Sequence, residues 1–164
     1  MAPARFVTDA SLALVARRLR ALGFDVVTHR GARLEELLAI ARSEGRAVLT
    51  LSARRTAAMR DLEVITLPRD AAAAVRSIAE GHEPASPPFR RCLACNTALQ
   101  SRSSFEARGE VPGRVTRQGG PLTYCPSCGQ WFWVGTHVEA LCRWLSATLD
   151  RPIAPPTTHA GEDA

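Results

Sequence analysis

Four cysteines stand in two pairs of identical spacing, Cys92-Leu-Ala-Cys95 and Cys125-Pro-Ser-Cys128, with 29 residues between the pairs. Two such hairpins can close a tetrahedron of thiolates around one zinc ion and leave no position open for a substrate, so the metal is structural. Gly129, directly after the second pair, can turn the backbone so that its amides point at sulfur. Two disulfides in a secreted protein, or a thioredoxin-like redox pair, are the alternatives, and neither accounts for the shared spacing. A second chemistry needs hard oxygen donors. Asp9 ends the first apolar segment, where a carboxylate can hold Mg²⁺ or Mn²⁺ or else cap the helix that follows. Hydrolytic metal sites need converging carboxylates, and Glu36, in the first turn of the second helical segment, is the second donor, with Glu35 as its fallback. The helix dipole favours acids at that place whatever their function.

The elements that must position these groups alternate. Arg5 to Thr8 reads as a strand, Ser11 to Leu22 as a helix stopped by Gly23, and Phe24 to Thr28 as a second strand. Arg33 to Glu44 reads as a helix capped by Gly45, and Ala47 to Thr50 as a third strand. A helix from Ser52 to Arg60, a strand from Glu63 to Leu67 and a helix from Asp70 to Glu80 complete four strand-helix units. Continuous apolar strands in such alternation imply an α/β fold, a parallel sheet covered by helices on both faces. Ligands of open parallel sheets bind beyond the carboxyl ends of the strands, a rim formed here by Asp9, His29, Ser52 and Asp70.

The chain divides into an α/β domain over 1–83, a Pro-rich linker over 84–89, a cysteine ribbon with a C-terminal helix over 90–150, and a disordered tail over 151–164. Within the ribbon, 101–120 is rich in Arg, Ser and Gly and reads as an exposed, mobile excursion. Tyr124, Trp131, Phe132 and Trp133 serve either to pack a small module or to stack on bases. His137 opens the last helix, and Cys142 lies on its apolar face as a small hydrophobe.

All 21 basic residues are arginine and the net charge is +5, which favours a polyanion such as RNA, although a lysine-free chain also follows from codon bias. Arg17 and Arg20 share one face of the first helix and Arg54 follows the third strand, so these three are the phosphate-contacting candidates, with plain solvation as the alternative. No segment reads as an export signal or a membrane span, and the expected compartment is the cytoplasm, where thiols stay reduced. The oligomeric state is not legible.

The strand Phe6-Val7-Thr8-Asp9, the helix carrying Leu12, Ala16, Arg17, Leu19 and Arg20, and then Leu22-Gly23-Phe24-Asp25-Val26 resemble the Mut-seven C-terminal RNase family. Leu37 to Ala41, Glu44-Gly45-Arg46, Val48-Leu49-Thr50, both cysteine pairs and Gly135-Thr136-His137 continue the likeness from Arg5 to Leu149. The resemblance implies a PIN-like domain with a C-terminal zinc ribbon, a hydrolase whose acids bind a divalent metal and cut RNA phosphodiesters. Asp9, Glu36 and Ser52 are then the catalytic set. Ser52 stands where the family usually has an Asp, and Leu34 where an Asp is common, so the site carries less negative charge than the family pattern. Two further readings follow: a catalytically degenerate PIN-like RNA-binding module, or a protein-interaction adaptor built on the ribbon.

Overall fold

The computed structural model describes residues 4–157; residues 158–164 of the expected tail lie outside the described residues. Strands β1 (Arg5–Asp9), β2 (Asp25–His29), β3 (Ala47–Thr50) and β4 (Val64–Thr66) form one all-parallel sheet in the order β2-β1-β3-β4. Helices α1 (Ala13–Ala21), α2 (Leu34–Glu44) and α3 (Ala71–Gly81) flank it. Phe6, Val7 and Thr8 in the middle of β1 have no exposed surface, as a strand covered on both faces requires.

The chain leaves β1, crosses through α1 to β2 on one side, and then returns through α2 to β3 on the other side of β1. Successive crossovers in opposite directions put α1 and α2 on opposite faces and open a crevice at the carboxyl ends of β1 and β3. On the α2 face, Leu37, Leu38 and Ala41 pack with Val7 and Val48, and Val27, Ile40 and Val64 surround them. Gly45 ends α2 in the left-handed conformation, at φ 60°, as its cap position demands. The expected helix from Ser52 to Arg60 is instead a single 3-10 turn, Ala57–Met59. Side chains compete with the helix there: the Ser52 N–H donates to Thr50 Oγ1 and the Arg54 N–H to Ser52 Oγ, each at 3.1 Å.

A charge network fastens the amino ends of the strands. Asp25 Oδ1 accepts from Arg46 Nη1 at 2.6 Å and from Asn96 Nδ2 at 2.7 Å, while Arg5 and Arg91 lie at 3.5 and 3.6 Å from Oδ2. Arg46 also donates to the Phe6 carbonyl and pairs with Glu44. Burial pushes the Asp25 carboxyl up, but the bonds from Arg46 and Asn96 and the charges of Arg46 and Arg91 outweigh it and hold the group below the usual carboxylate range.

The first compact unit runs from Met1 to Asn96 and takes in the Pro-rich segment and the first cysteine pair. That segment is strapped down: the Ala85 and Ser86 N–H groups donate to the Gly23 carbonyl and the Phe89 N–H to the Ala21 carbonyl. Gly23 sits at φ +94°, and a Cβ there would lie 1.9 Å from the Ser86 carbonyl oxygen, so no other residue fits.

The second unit, Thr97–Ala164, contains an antiparallel sheet of β5 (Gln100–Arg102), β6 (Leu122–Tyr124) and β7 (Trp131–Trp133), with helices α4 (Gly113–Gln118) and α5 (Thr136–Leu149). The 101–120 excursion is more ordered than its polar composition implies. Ala107, Val111 and Val115 bury themselves with Leu122, and Trp131 and Trp133 pack against that cluster. A handful of apolar residues spaced through a polar stretch is enough to fold it. The tryptophans therefore serve packing, and Tyr124 adds a ring contact to Trp131 at 5.1 Å. Cys142 is buried on α5 as expected.

Asp25→Asn leaves Arg46 buried beside a neutral partner and should lower unfolding stability by about 3 kcal/mol in chemical denaturation at neutral pH. The sign with pH follows from the depressed carboxyl. Its contribution is fully present above the ordinary carboxylate value and is lost as the pH falls through the folded value. The wild type should therefore show an acid loss of stability below about pH 4 that is shallower in Asp25→Asn.

Candidate functional site

The two CxxC turns are built alike. In the first, the Asn96 N–H donates to the Cys92 carbonyl at 2.9 Å and Asn96 is left-handed at φ 73°. In the second, the Gly129 N–H donates to the Cys125 carbonyl at 2.9 Å and Gly129 is left-handed at φ 72°. The ligand sulfurs of Cys92, Cys95, Cys125 and Cys128 all lie within 4.8 Å of one another. Tetrahedral zinc with bonds near 2.3 Å sets its sulfurs about 3.8 Å apart, so the donor set and spacing fit such an ion. Cys92 and Cys125 are fully buried, whereas Cys95 and Cys128 reach the surface.

The first turn uses Asn where the second uses Gly, and the side chain explains the difference. Asn96 Oδ1 accepts from the Val26 N–H at 3.1 Å while Nδ2 donates to Asp25, so the turn pairs with the outer edge of β2. Arg20 completes this junction. Its Nε donates to the Val26 carbonyl, Nη1 to the carbonyls of Leu93 and Ala94, and Nη2 to Thr28 Oγ1. Expected on a phosphate-facing surface, Arg20 is instead 3% exposed, with its donors spent inside the first unit. Burial lowers its guanidinium from the ordinary value, and Cys92 and Cys95 pull the other way, as thiolates beside a cation do.

The second cluster lies at the carboxyl edge of the sheet. In the parallel register Asp9 stands opposite His29. Side chains alternate along a strand, so Asp9 and His29 follow Val7 and Val27 on the face covered by α2, and Thr50 follows Val48 there. The first turn of α2 brings in Glu36, whose Oε2 lies 3.2 Å from His29 Nε2. α2 starts without a side-chain cap, so Glu35 and Glu36 also answer its dipole. Asp9 Oδ1 accepts from both the N–H and the hydroxyl of Ser11, which makes it the cap of the 3-10 turn Ala10–Leu12. The capping role is thus real, and it occupies one of the two carboxylate oxygens.

Ser52 is exposed beyond β3, its hydroxyl accepting from the Arg54 N–H. Arg54 and Arg17 are exposed, whereas Arg55 staples the loop by donating to the Ser52 and Val64 carbonyls and to Thr66 Oγ1. Asp70 is spent as the cap of α3. Among the described residues, the cysteines alone form a group of three or more metal-ligating side chains with ligand atoms that close; at the sheet edge His29 and Glu36 meet, and Asp9 is not gathered with them into such a group. The pairing of His29 with Glu36 was not read from the sequence. Its signal was a histidine at the end of a strand, followed two residues later by Gly31.

Asn96→Gly keeps the left-handed turn and removes only the side chain. It should retain full metal content by elemental analysis, lose about 2 kcal/mol of stability, and speed hydrogen exchange at the Val26 amide. Cys92→Ser should lose the metal, and chelation of the wild type should melt the cysteine turns, seen as a fall in the thermal midpoint.

Among the described residues no helix is long and apolar enough to cross a membrane. Comparison with curated proteins and with solved structures finds no match. The Mut7-C RNAse domain family matches residues 4–145, which take in the parallel sheet, both cysteine pairs and most of α5. The chain belongs to the Mut7-C RNAse domain family.

Proposed function

We propose that the protein is a metal-dependent ribonuclease whose site is the carboxyl edge of the sheet, with a structural zinc on the four cysteines. What supports this reading is the contact of His29 with Glu36 at the carboxyl edge of the sheet, with Asp9 opposite His29 in the β1–β2 register, in a chain of a ribonuclease family. Asp9, through the oxygen its cap does not use, and Glu36 supply the negative oxygens for Mg²⁺ or Mn²⁺. Such an ion supplies Lewis-acid polarisation of a phosphoryl oxygen and lowers the pKa of bound water. Thr50 and Ser52 offer hydroxyls on the β3 side, and Arg17 and Arg54, both exposed, supply positive charge for the RNA backbone. RNA is the substrate, and the cytoplasm is the compartment that suits the thiolates.

One observation favours the second reading, a module that binds RNA without cutting it. Ser52 brings a hydroxyl already engaged by the Arg54 amide, so the site has fewer anionic ligands than a strong magnesium site uses. The two readings separate on one assay. Purified protein with single-stranded RNA and Mn²⁺ should cut, and Asp9→Asn should reduce the rate by about a hundredfold or more. Salt-dependent RNA binding with no cutting, and cutting gained in Ser52→Asp, would select the binding module instead.

A further inference from the structure

We propose that His29 is itself a metal ligand, paired with Glu36, and that the edge site is consequently built for a first-row transition dication rather than for magnesium. This rests on the metal-dependent reading of the site and specifies its ion.

His29 Nε2 lies 3.2 Å from Glu36 Oε2. The separation is that of an ion pair, yet Nε2 is buried and has no hydrogen-bond partner among the described residues, because the direction of approach is wrong for a hydrogen bond. A nitrogen and an oxygen that are close but not aimed at each other suit two ligands aimed at a common third atom. Ligand bonds of about 2.1 Å place neighbouring donors about 3.0 Å apart at a right angle and about 3.4 Å apart at the tetrahedral angle, and the observed value falls between.

The backbone leaves room for this pair at one point. A Cβ on Gly31 would lie 2.5 Å from His29 Nε2 and 2.7 Å from Glu36 Oε2, so any side chain there must push the two donors away. Asp9 stands opposite His29 in the β1–β2 register; its Oδ1 is engaged by Ser11, and a turn of its side chain would be needed to bring the other oxygen to the pair as a third donor. Leu34 and Ser52 bring no charge to this edge, so the donor set is two carboxylates and one imidazole. Imidazole is a ligand of transition metals, whereas magnesium selects oxygens and keeps its waters.

The test uses the zinc-loaded full-length protein, with Mn²⁺ as the probe and electron paramagnetic resonance as the readout. Wild type should bind one Mn²⁺ beyond the zinc, more tightly than Mg²⁺ in competition, and pulsed spectra should show coupling to one imidazole nitrogen. His29→Gln should weaken Mn²⁺ at least about tenfold, with little change for Mg²⁺, and lose the nitrogen coupling. Gly31→Ala should weaken Mn²⁺ with both donors still present, which guards against a His29 variant that fails to fold. Unchanged Mn²⁺ affinity in both variants, with no nitrogen coupling in wild type but loss of binding in Asp9→Asn, overturns the role of His29 and leaves the metal-dependent reading standing. No Mn²⁺ or Mg²⁺ bound by wild type overturns both, and identifies the His29–Glu36 contact as an ion pair alone.

Discussion

The parallel register of β1 between β2 and β3 is the constraint on which the candidate site depends. A parallel pair leaves no freedom to adjust one strand end alone, because sliding by one residue would turn every side chain to the other face. Val7 and Val48, in register, must face α2, which forces Asp9 and Thr50 to emerge beside its first turn. Val27 does the same for His29. Which side chains emerge at the carboxyl edge is therefore fixed by valines two residues earlier.

The opposite edge holds that register. Asp25 is a buried carboxylate with Arg46 from the start of the β3 segment, Arg5 from β1, and Arg91 and Asn96 from the first cysteine turn around it. A buried charge tolerates few arrangements of its partners, so the network contributes specificity of alignment as much as stability. The cysteine turn also solves a problem of the sheet. β2 is an edge strand, and its Val26 N–H and carbonyl would otherwise be unpaired; Asn96 and Arg20 pair them. A metal held by the cysteines would, by ordering Cys92 to Asn96, protect the strand that ends at His29.

Much of this was legible in the sequence, for identifiable reasons. The four strands, α2 with its Gly45 cap and the cysteine group declare themselves through continuous apolar runs, one glycine and an exact repeat of spacing. The 52–60 segment misled because its helical composition says nothing of the Thr50 and Ser52 hydroxyls, which bond the backbone into a turn. Arg20 misled because helical spacing puts it beside Arg17 without showing that its end is covered; only the fold brings Leu93 and Ala94 to it. The excursion at 101–120 misled because a local core of four residues is invisible to composition. The contact between His29 and Glu36 joins a strand end to a helix start seven residues on, and such a pairing needs the turn at Gly31 to be known.

The cysteine group and the proposed edge site differ in ligand type and in sequence. Soft thiolates in the cysteine turns select an ion that closes its own shell and does no chemistry, while oxygens and one imidazole at the sheet edge suit an ion that retains water. Losing a carboxylate at position 52 weakens the pull on any hard dication, and an imidazole recovers affinity only for ions that accept nitrogen. Under the proposed reading, such a site would exchange breadth of ion choice for selectivity, and the residues that reduce its resemblance to an all-carboxylate centre would determine which metal it keeps.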